Sequence, residues 1–429
     1  MRLRIENFAK IRTADVQVRG LTVICGLNNT GKSTVGKVLH SIFNSLRGIE
    51  RKVGQQRIEI VRGAVRDELD SMHAGLPEPV YWACSQHLHL YLRGAHPATH
   101  EDLLSRINEW MTRRGIDPVQ ERELAGRLAD KVWDVLRIPV ENVHKIIVSG
   151  YFMRMFGDQM VSIYDSSRKA SVALEVRGET IGMGFDARGC VSLANPGVVK
   201  HRSIYIDNPY ILDRVSSSRS NWRTERPTEE ELFNLLQNYK RDIYRAGNAY
   251  RRTLVADKLK EVEQRLSRMV QGRVVSGSDG LALQHDRGGM PLSLRNLSLG
   301  LKSFMVLYML LESLRLEEQD VLVLDEPEIH LHTEWQVAYA EIIVLLQKCF
   351  NLSVVVTTHS PFFLDALVQY TRKHGTHGNT DFYLSRAEDD YAVIENVNGE
   401  LHKIYDVIAP SLALLKRLRY DNDNPGEEQ

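Results

Sequence analysis

Long apolar runs are missing from this chain of 429 residues. The longest, from Phe304 to Leu311, falls well short of the roughly 20 residues that a helix needs to cross a bilayer. A self-contained membrane transporter is therefore excluded from the expectations. The start, Met1-Arg2-Leu3-Arg4-Ile5-Glu6, has no apolar signal core, and a cytoplasmic location is expected. Cysteine is sparse as well. Cys25, Cys84, Cys190 and Cys349 stand far apart without a C-x-x-C pair, which argues against a zinc hook, a zinc ribbon or a redox motif and suits a reducing compartment. Neither sign of charge is in excess: 55 basic residues balance 55 acidic ones, so any grip on nucleic acid must come from a local patch. The rest is ordinary for a globular protein, 43% apolar and 26% charged, and the length allows one large domain with insertions or two or three domains.

What the chain does have is a series of short motifs in order. Gly26-Leu27-Asn28-Asn29-Thr30-Gly31-Lys32-Ser33 matches G-x-x-x-x-G-K-[ST], the phosphate-binding loop. Its flanks agree with it. Leu3, Ile5 and Phe8, then Val16, Val18, Leu21, Val23 and Ile24, read as strands over 2–8 and 16–25. Val35, Val38, Leu39, Ile42, Phe43 and Leu46 recur at helical spacing. A strand, a glycine loop and a helix form the setting that a phosphate loop requires, which sets aside a chance glycine turn.

Farther on, 51–156 reads as helical and polar, and 159–185 alternates like strands. Residues 203–207 read as a buried strand stopped by Pro209. Residues 214–226, rich in serine and arginine, are expected to be a mobile loop. A helical arm then runs from Thr228 to about Met269, opening on Thr228-Glu229-Glu230-Glu231. Beyond Gly288-Gly289 come a helix to about Leu316, a strand over 320–325, a helix over 333–349, a strand over 352–357, a helix over 361–373 and a strand over 381–385. That alternation predicts an α/β fold with a mostly parallel sheet and helical insertions. The expected organisation is one core made of 1–50, 157–213 and 271–420, interrupted at 51–156 and 214–270, with a last helix over 404–419 and a disordered tail over 421–429. No internal repeat is visible.

The residue types in these motifs point to phosphate chemistry. Gly26 and Gly31 let the backbone through Asn28, Asn29 and Thr30 turn its N–H groups toward phosphate at a helix N-terminus. Lys32 would reach the β- and γ-phosphates, Ser33 would coordinate Mg²⁺ and Thr34 would touch the α-phosphate of ATP. Asp325 ends the run Val321-Leu322-Val323-Leu324, so a strand delivers its carboxylate to the sheet edge to hold Mg²⁺, with Glu326 beside it to polarise the attacking water. The bland alternative is an acidic turn capping the next helix. Leu297-Ser298-Leu299-Gly300, about 27 residues before Asp325, puts a hydroxyl and a helix N-terminus where Ser298 and Gly300 could meet phosphate, with Lys302 near the ribose or phosphates. His359, in Thr357-Thr358-His359-Ser360-Pro361, follows a buried strand and is placed to sense the γ-phosphate. His330 and His332 suggest a metal, but zinc wants more ligands at other spacings. Arg214, Arg219, Arg223 and Arg226 around Trp222, with Arg245, Arg251, Arg252, Arg265 and Arg268, could grip nucleic acid or simply form a solvated face.

Taken together with Ile5-Glu6-Asn7-Phe8 and Leu324 to His332, these motifs resemble the ABC-type ATPases of the RecF/SMC group. More narrowly, they are similar to the stand-alone AAA-type ATPases of prokaryotic anti-phage defence systems, of the Septu or PARIS kind, and to the ATPase domain of overcoming-lysogeny nucleases. The resemblance implies a head-to-tail dimer around two ATP molecules, in which Ser298 and Gly300 act on the partner's nucleotide and the loop after Glu326 contacts the partner. It also implies regulation of a separate effector protein and no membrane partner. A RecF-like repair ATPase that clamps DNA is the alternative. Two departures stand out. Only about 70 residues follow His359, too few for the nuclease domain of the overcoming-lysogeny proteins, and the Glu388-Asp389-Asp390 stretch does not read as a metal cluster. A glutamine lid is also lacking, with Asn208 as a weak stand-in.

Overall fold

Leu3, Ile5 and Phe8 are buried and alternate with exposed Arg2, Arg4 and Glu6, making β1 (Arg2–Phe8) a strand with one face in the core. In the computed structural model β1 turns through Asn7 and Ala9, both in the left-handed region, into antiparallel β2 (Ile11–Gln17). The structure describes residues 1–72, 77–92, 98–117, 119, 121–157, 159–162, 164, 169–215, 227–243, 260–277 and 280–410. The strand expected over 16–25 is two strands. Gly20 breaks it with φ +53°, in contact with the Asn379 carbonyl, and β3 (Leu21–Gly26) starts afresh.

Two compact units divide the chain, one of residues 1–47 and 151–429, the other of 48–150. The first holds an eleven-stranded sheet. Besides β1 to β3 it contains β4 (Ala170–Val176), β5 (Glu179–Asp186), β6 (Gly189–Ala194) and β7 (Ser203–Ile206). A separate three-stranded antiparallel sheet, β8 (Gly272–Gly277), β9 (Gly280–His285) and β10 (Leu292–Ser293), precedes the Ser298 segment. The large sheet then continues with β11 (Val321–Asp325), β12 (Ser353–Thr358), β13 (Thr380–Glu388) and β14 (Tyr391–Asn396), in the order β6-β5-β4-β1-β2-β14-β13-β3-β12-β11-β7.

The half from β13 to β7 is parallel throughout. β3 and β7 are wholly buried and β11 and β12 nearly so, because helices cover both faces of a parallel sheet and its strands become continuous aliphatic runs. The half from β6 to β2 is antiparallel, and β14 joins the two, antiparallel to β13 and parallel to β2. Helices Lys32–Leu46, Leu299–Glu312, Thr333–Phe350 and Pro361–Lys373 alternate with the parallel strands, and Phe304, Leu307, Ile343, Leu346, Val354 and Leu364 are among the fully buried core residues.

The unit of residues 48–150 has its own core. Helix Ile49–Met72 contributes Val61, Val65 and Leu69. Helix His100–Arg113, capped by the Thr99 hydroxyl on the Asp102 N–H, contributes Leu103, Ile107 and Trp110, and helix Arg122–Leu136 contributes Leu124, Leu128 and Val132. Of the arm expected over 228–269, the structure describes helices Pro227–Gln237 and Tyr239–Ile243 and a helical stretch over 260–270. The arginine- and serine-rich residues 216–226 and the end of the expected last helix lie outside the described residues; of that helix, His402–Ile408 is seen. No helix among the described residues is long and apolar enough to cross a membrane.

Candidate functional site

Parallel register places Asp325 opposite Thr357 and Thr358 opposite Cys25, so β3, β12 and β11 end side by side. Ligands of open α/β sheets gather at this carboxyl edge. β3 ends at Gly26, where a Cβ would lie 2.1 Å from the Ser385 carbonyl of β13; only glycine fits. Gly31, at φ +87°, opens helix Lys32–Leu46. Between them the loop is pinned: the Thr30 hydroxyl donates to the Leu27 carbonyl (2.8 Å) and the Ser385 hydroxyl to the Thr30 carbonyl (2.6 Å). Asn28 and Asn29 are exposed, Asn29 at φ +62°, and the Thr34 N–H returns to the Gly31 carbonyl (3.1 Å).

Lys32 is buried, and its ammonium folds back to donate to the Gly26 and Leu27 carbonyls at 3.0 and 2.8 Å, 3.4 Å from Glu326 Oε1. The Ser33 hydroxyl donates to Asp325 Oδ1 at 2.9 Å. Thr357 donates to the same oxygen, and the Tyr205 hydroxyl donates to Oδ2 at 2.7 Å. A hydroxyl beside a carboxylate is an all-oxygen donor set that suits a hard cation such as Mg²⁺. Glu326 holds φ +49°, a strained position for a residue with a side chain, and its N–H is taken by the Thr357 carbonyl and hydroxyl (3.1 and 3.0 Å). His359 Nδ1 lies 3.5 Å from Glu326 Oε2 and 3.9 Å from Glu328 Oε1, on a half-exposed imidazole. Buried Glu328 accepts from the Thr358 hydroxyl and from the His359 N–H (3.3 Å). Burial pushes its carboxyl up, against the pull of Thr358 and His359.

The site therefore brings together Gly26, Thr30, Gly31, Lys32, Ser33, Asp325, Glu326 and His359. The Ser298 segment is arranged differently. The Ser298 hydroxyl caps its own helix by accepting from the Leu301 N–H (3.3 Å), on an exposed side chain. Gly300 is pressed against the loop after Glu326, where a Cβ would meet the Trp335 ring at 2.9 Å and the His330 carbonyl at 3.0 Å. Lys302, expected near the ribose or phosphates, is instead buried and donates to Asp213 Oδ1 (2.5 Å) and the Arg295 carbonyl (2.8 Å). Its nearly complete burial inside the chain takes the amine away from a nucleotide.

His330 and His332 are exposed, with the His332 ring tilted on Trp335 at 4.8 Å. Among the described residues no group of three or more His, Cys, Asp or Glu is placed to hold a metal. Of the arginines, Arg214 pairs with Glu229 (2.5 Å) and Arg265 with Glu341 (3.3 Å), whereas Arg219, Arg223, Arg226, Arg245, Arg251 and Arg252 lie outside the described residues. Sequence reasoning missed Tyr205, Thr357 and the bonds of Glu328 to the Thr358 hydroxyl and the His359 backbone N–H. A tyrosine inside the aliphatic strand Ser203–Ile206 was a signal, since a buried phenol needs a partner.

Residues 201–365 match the family described as "AAA domain, putative AbiEii toxin, Type IV TA system". The match takes in Asp325, Glu326 and His359 but not the phosphate loop. No curated protein matches the chain. Solved structures similar to it include the SmcHead bound to the C-winged helix domain of ScpA, at 11% identity and TM-score 0.43 over 92% of this chain and 96% of that one. The SMC head domain from Thermotoga maritima is similar at 11% identity and TM-score 0.38, over 92% and 98%. An Smc head domain with an extended coiled coil, bound to the C-terminal domain of ScpA derived from Pyrococcus furiosus, is similar at 10% and 0.38, over 97% and 98%. Likeness at this level carries nothing about activity.

Proposed function

We propose that this chain is an ATPase that binds Mg²⁺-ATP on the loop from Gly26 to Thr34. The observation that carries the reading is the convergence of Lys32, Ser33, Asp325 and Glu326 at one edge of the parallel sheet. Lys32, now bound to its own loop carbonyls, exchanges them for the β- and γ-phosphates, and the N–H groups of the loop and helix face the same anion. Ser33 and Asp325 hold the cation, which when bound neutralises phosphate charge. Glu326 is within reach of Lys32 and His359 and orients water for attack on the γ-phosphate. His359, whose N–H is held by Glu328, reads whether that phosphate is present.

Two copies close head to tail. Ser298 is exposed, and among the described residues its hydroxyl bonds only within its own helix cap, so its helix N-terminus can face a partner's nucleotide. Closure and hydrolysis control a separate effector protein of a prokaryotic anti-phage defence system. The test is the mass and composition of the Glu326→Gln protein purified from its native locus with Mg²⁺-ATP, since this change keeps the binding groups and removes the base. A dimer or larger assembly carrying a second protein supports the reading. A bare dimer retaining nucleic acid moves the function to a DNA clamp, and a lone monomer overturns the sandwich.

A further inference from the structure

A side chain three strands from β3, which leads into the glycine loop, contacts the carboxylate assigned to the metal. We propose that Tyr205 is a positioning residue for Asp325, fixing one carboxylate oxygen so that the other stays turned toward Ser33 and the cation. The inference rests on the nucleotide site proposed above.

Four observations carry it. β7 lies beside β11 with Tyr205 in register with Val323, two residues before Asp325 and on the same face of the pleat. Two residues of strand rise about 6–7 Å, and the length of a tyrosine side chain spans that gap. The hydroxyl accordingly meets Asp325 Oδ2 at 2.7 Å. Next, the helix that supplies Ser33 also makes room for the ring. At Gly36 a Cβ would come within 2.7 Å of Val323 Cγ1 and 3.3 Å of Tyr205 Cε2, so glycine at this turn admits the phenol beneath the phosphate-loop helix. The His40 ring, one turn later, packs edge-on against Tyr205 at 5.5 Å and closes the slot. Finally, the phenol is fully buried, so its ring has one place to lie.

The division of labour on Asp325 follows. Oδ1 takes the hydroxyls of Ser33 and Thr357, and Oδ2 takes Tyr205. Ser33 heads a helix turn and can redirect its O–H when a cation arrives. Tyr205 is clamped by Gly36, Val323 and His40, so the oxygen it holds stays fixed. Partners of this kind usually alter metal affinity by about 10- to 100-fold when removed.

The test compares Tyr205→Phe with the unaltered protein in the binding of a fluorescent ATP analogue, titrated with Mg²⁺ from a metal-free start, and in Mn²⁺ binding followed by electron paramagnetic resonance. The expected result is metal-free nucleotide affinity within about twofold of the original, with the Mg²⁺ midpoint raised about tenfold or more. A phenol that serves only the core would leave that midpoint in place, and an unchanged midpoint in folded Tyr205→Phe overturns the proposal. Should that variant not fold, Gly36→Ala presses on the same ring from the helix side, and a folded Gly36→Ala protein with the original midpoint overturns it equally. If the unaltered protein binds no ATP at all, the failure belongs to the nucleotide site and not to Tyr205.

Discussion

At the residue scale, the site is built from side chains whose burial sets their behaviour. Glu328 is 2% exposed, and its Oε2 has no hydrogen-bond partner among the described residues. Burial raises its carboxyl above the ordinary 4.5, so the folded state holds the proton more tightly than the unfolded one. Stability from this group is therefore complete below about 4.5 and declines as pH rises through the raised value. Glu328→Gln keeps an oxygen for Thr358 and the His359 N–H while removing the buried charge. It is expected to stabilise the nucleotide-free protein at pH 7.5 by on the order of 1 kcal/mol, with the gain fading toward pH 4.5. Thermal unfolding at the two pH values checks this, and a gain that is larger in acid would contradict it. That the glycines, Lys32, Ser33, Asp325 and Glu326 meet was legible in the sequence, because the phosphate chemistry proposed for them calls for those residue types at those spacings. Tyr205 and Thr357 were not, because their partner Asp325 is remote in sequence and only strand pairing brings it close.

At the element scale, the charged groups tie helices together. Glu341, on helix Thr333–Phe350, gathers Lys373 (3.0 Å) and His374 (3.2 Å) from the end of helix Pro361–Lys373, and Arg265 (3.3 Å) from the stretch 260–270. The helix that begins just after His359 is thus anchored at its far end to the base of the arm. Burial alone would raise the Glu341 carboxyl, but Lys373, His374 and Arg265 outweigh it and hold it below its usual value. A depressed carboxyl contributes stability above the unfolded value near 4.5, which is lost as pH falls through the folded one. Lys373 and Arg265 are partly exposed, and solvent screens their share. Glu341→Gln is expected to cost about 1–3 kcal/mol at pH 7, a cost that shrinks as pH falls below 4.5, as measured by urea unfolding across that range. Helix Leu299–Glu312 is anchored in the same way by its Lys302 on Asp213, and the turn after it by Arg315 on Asp242. Helical periodicity indicated where these helices lie; it could not say that Lys302 would be spent on holding one of them.

At the scale of the whole molecule, the unit of residues 48–150 encloses its own buried set, including Val65, Leu69, Cys84, Leu88, Leu103, Ile107, Trp110, Leu128 and Val132. A fragment of residues 48–150 is expected to be helical and to melt cooperatively by circular dichroism. A featureless, non-cooperative trace would show that this core needs the rest of the chain. The sequence alone determined the α/β class, the glycine turn between strand and helix and the acidic strand end, because these depend on local periodicity and on spacings within a few residues. It also placed His359 behind a buried strand. Only the tertiary structure decided that the large sheet is half parallel and half antiparallel, that Lys302 turns inward to Asp213, and that Asp325 receives hydroxyls from three separate elements. Those outcomes depend on strand order and register, which follow from how distant apolar faces pack and not from any local pattern.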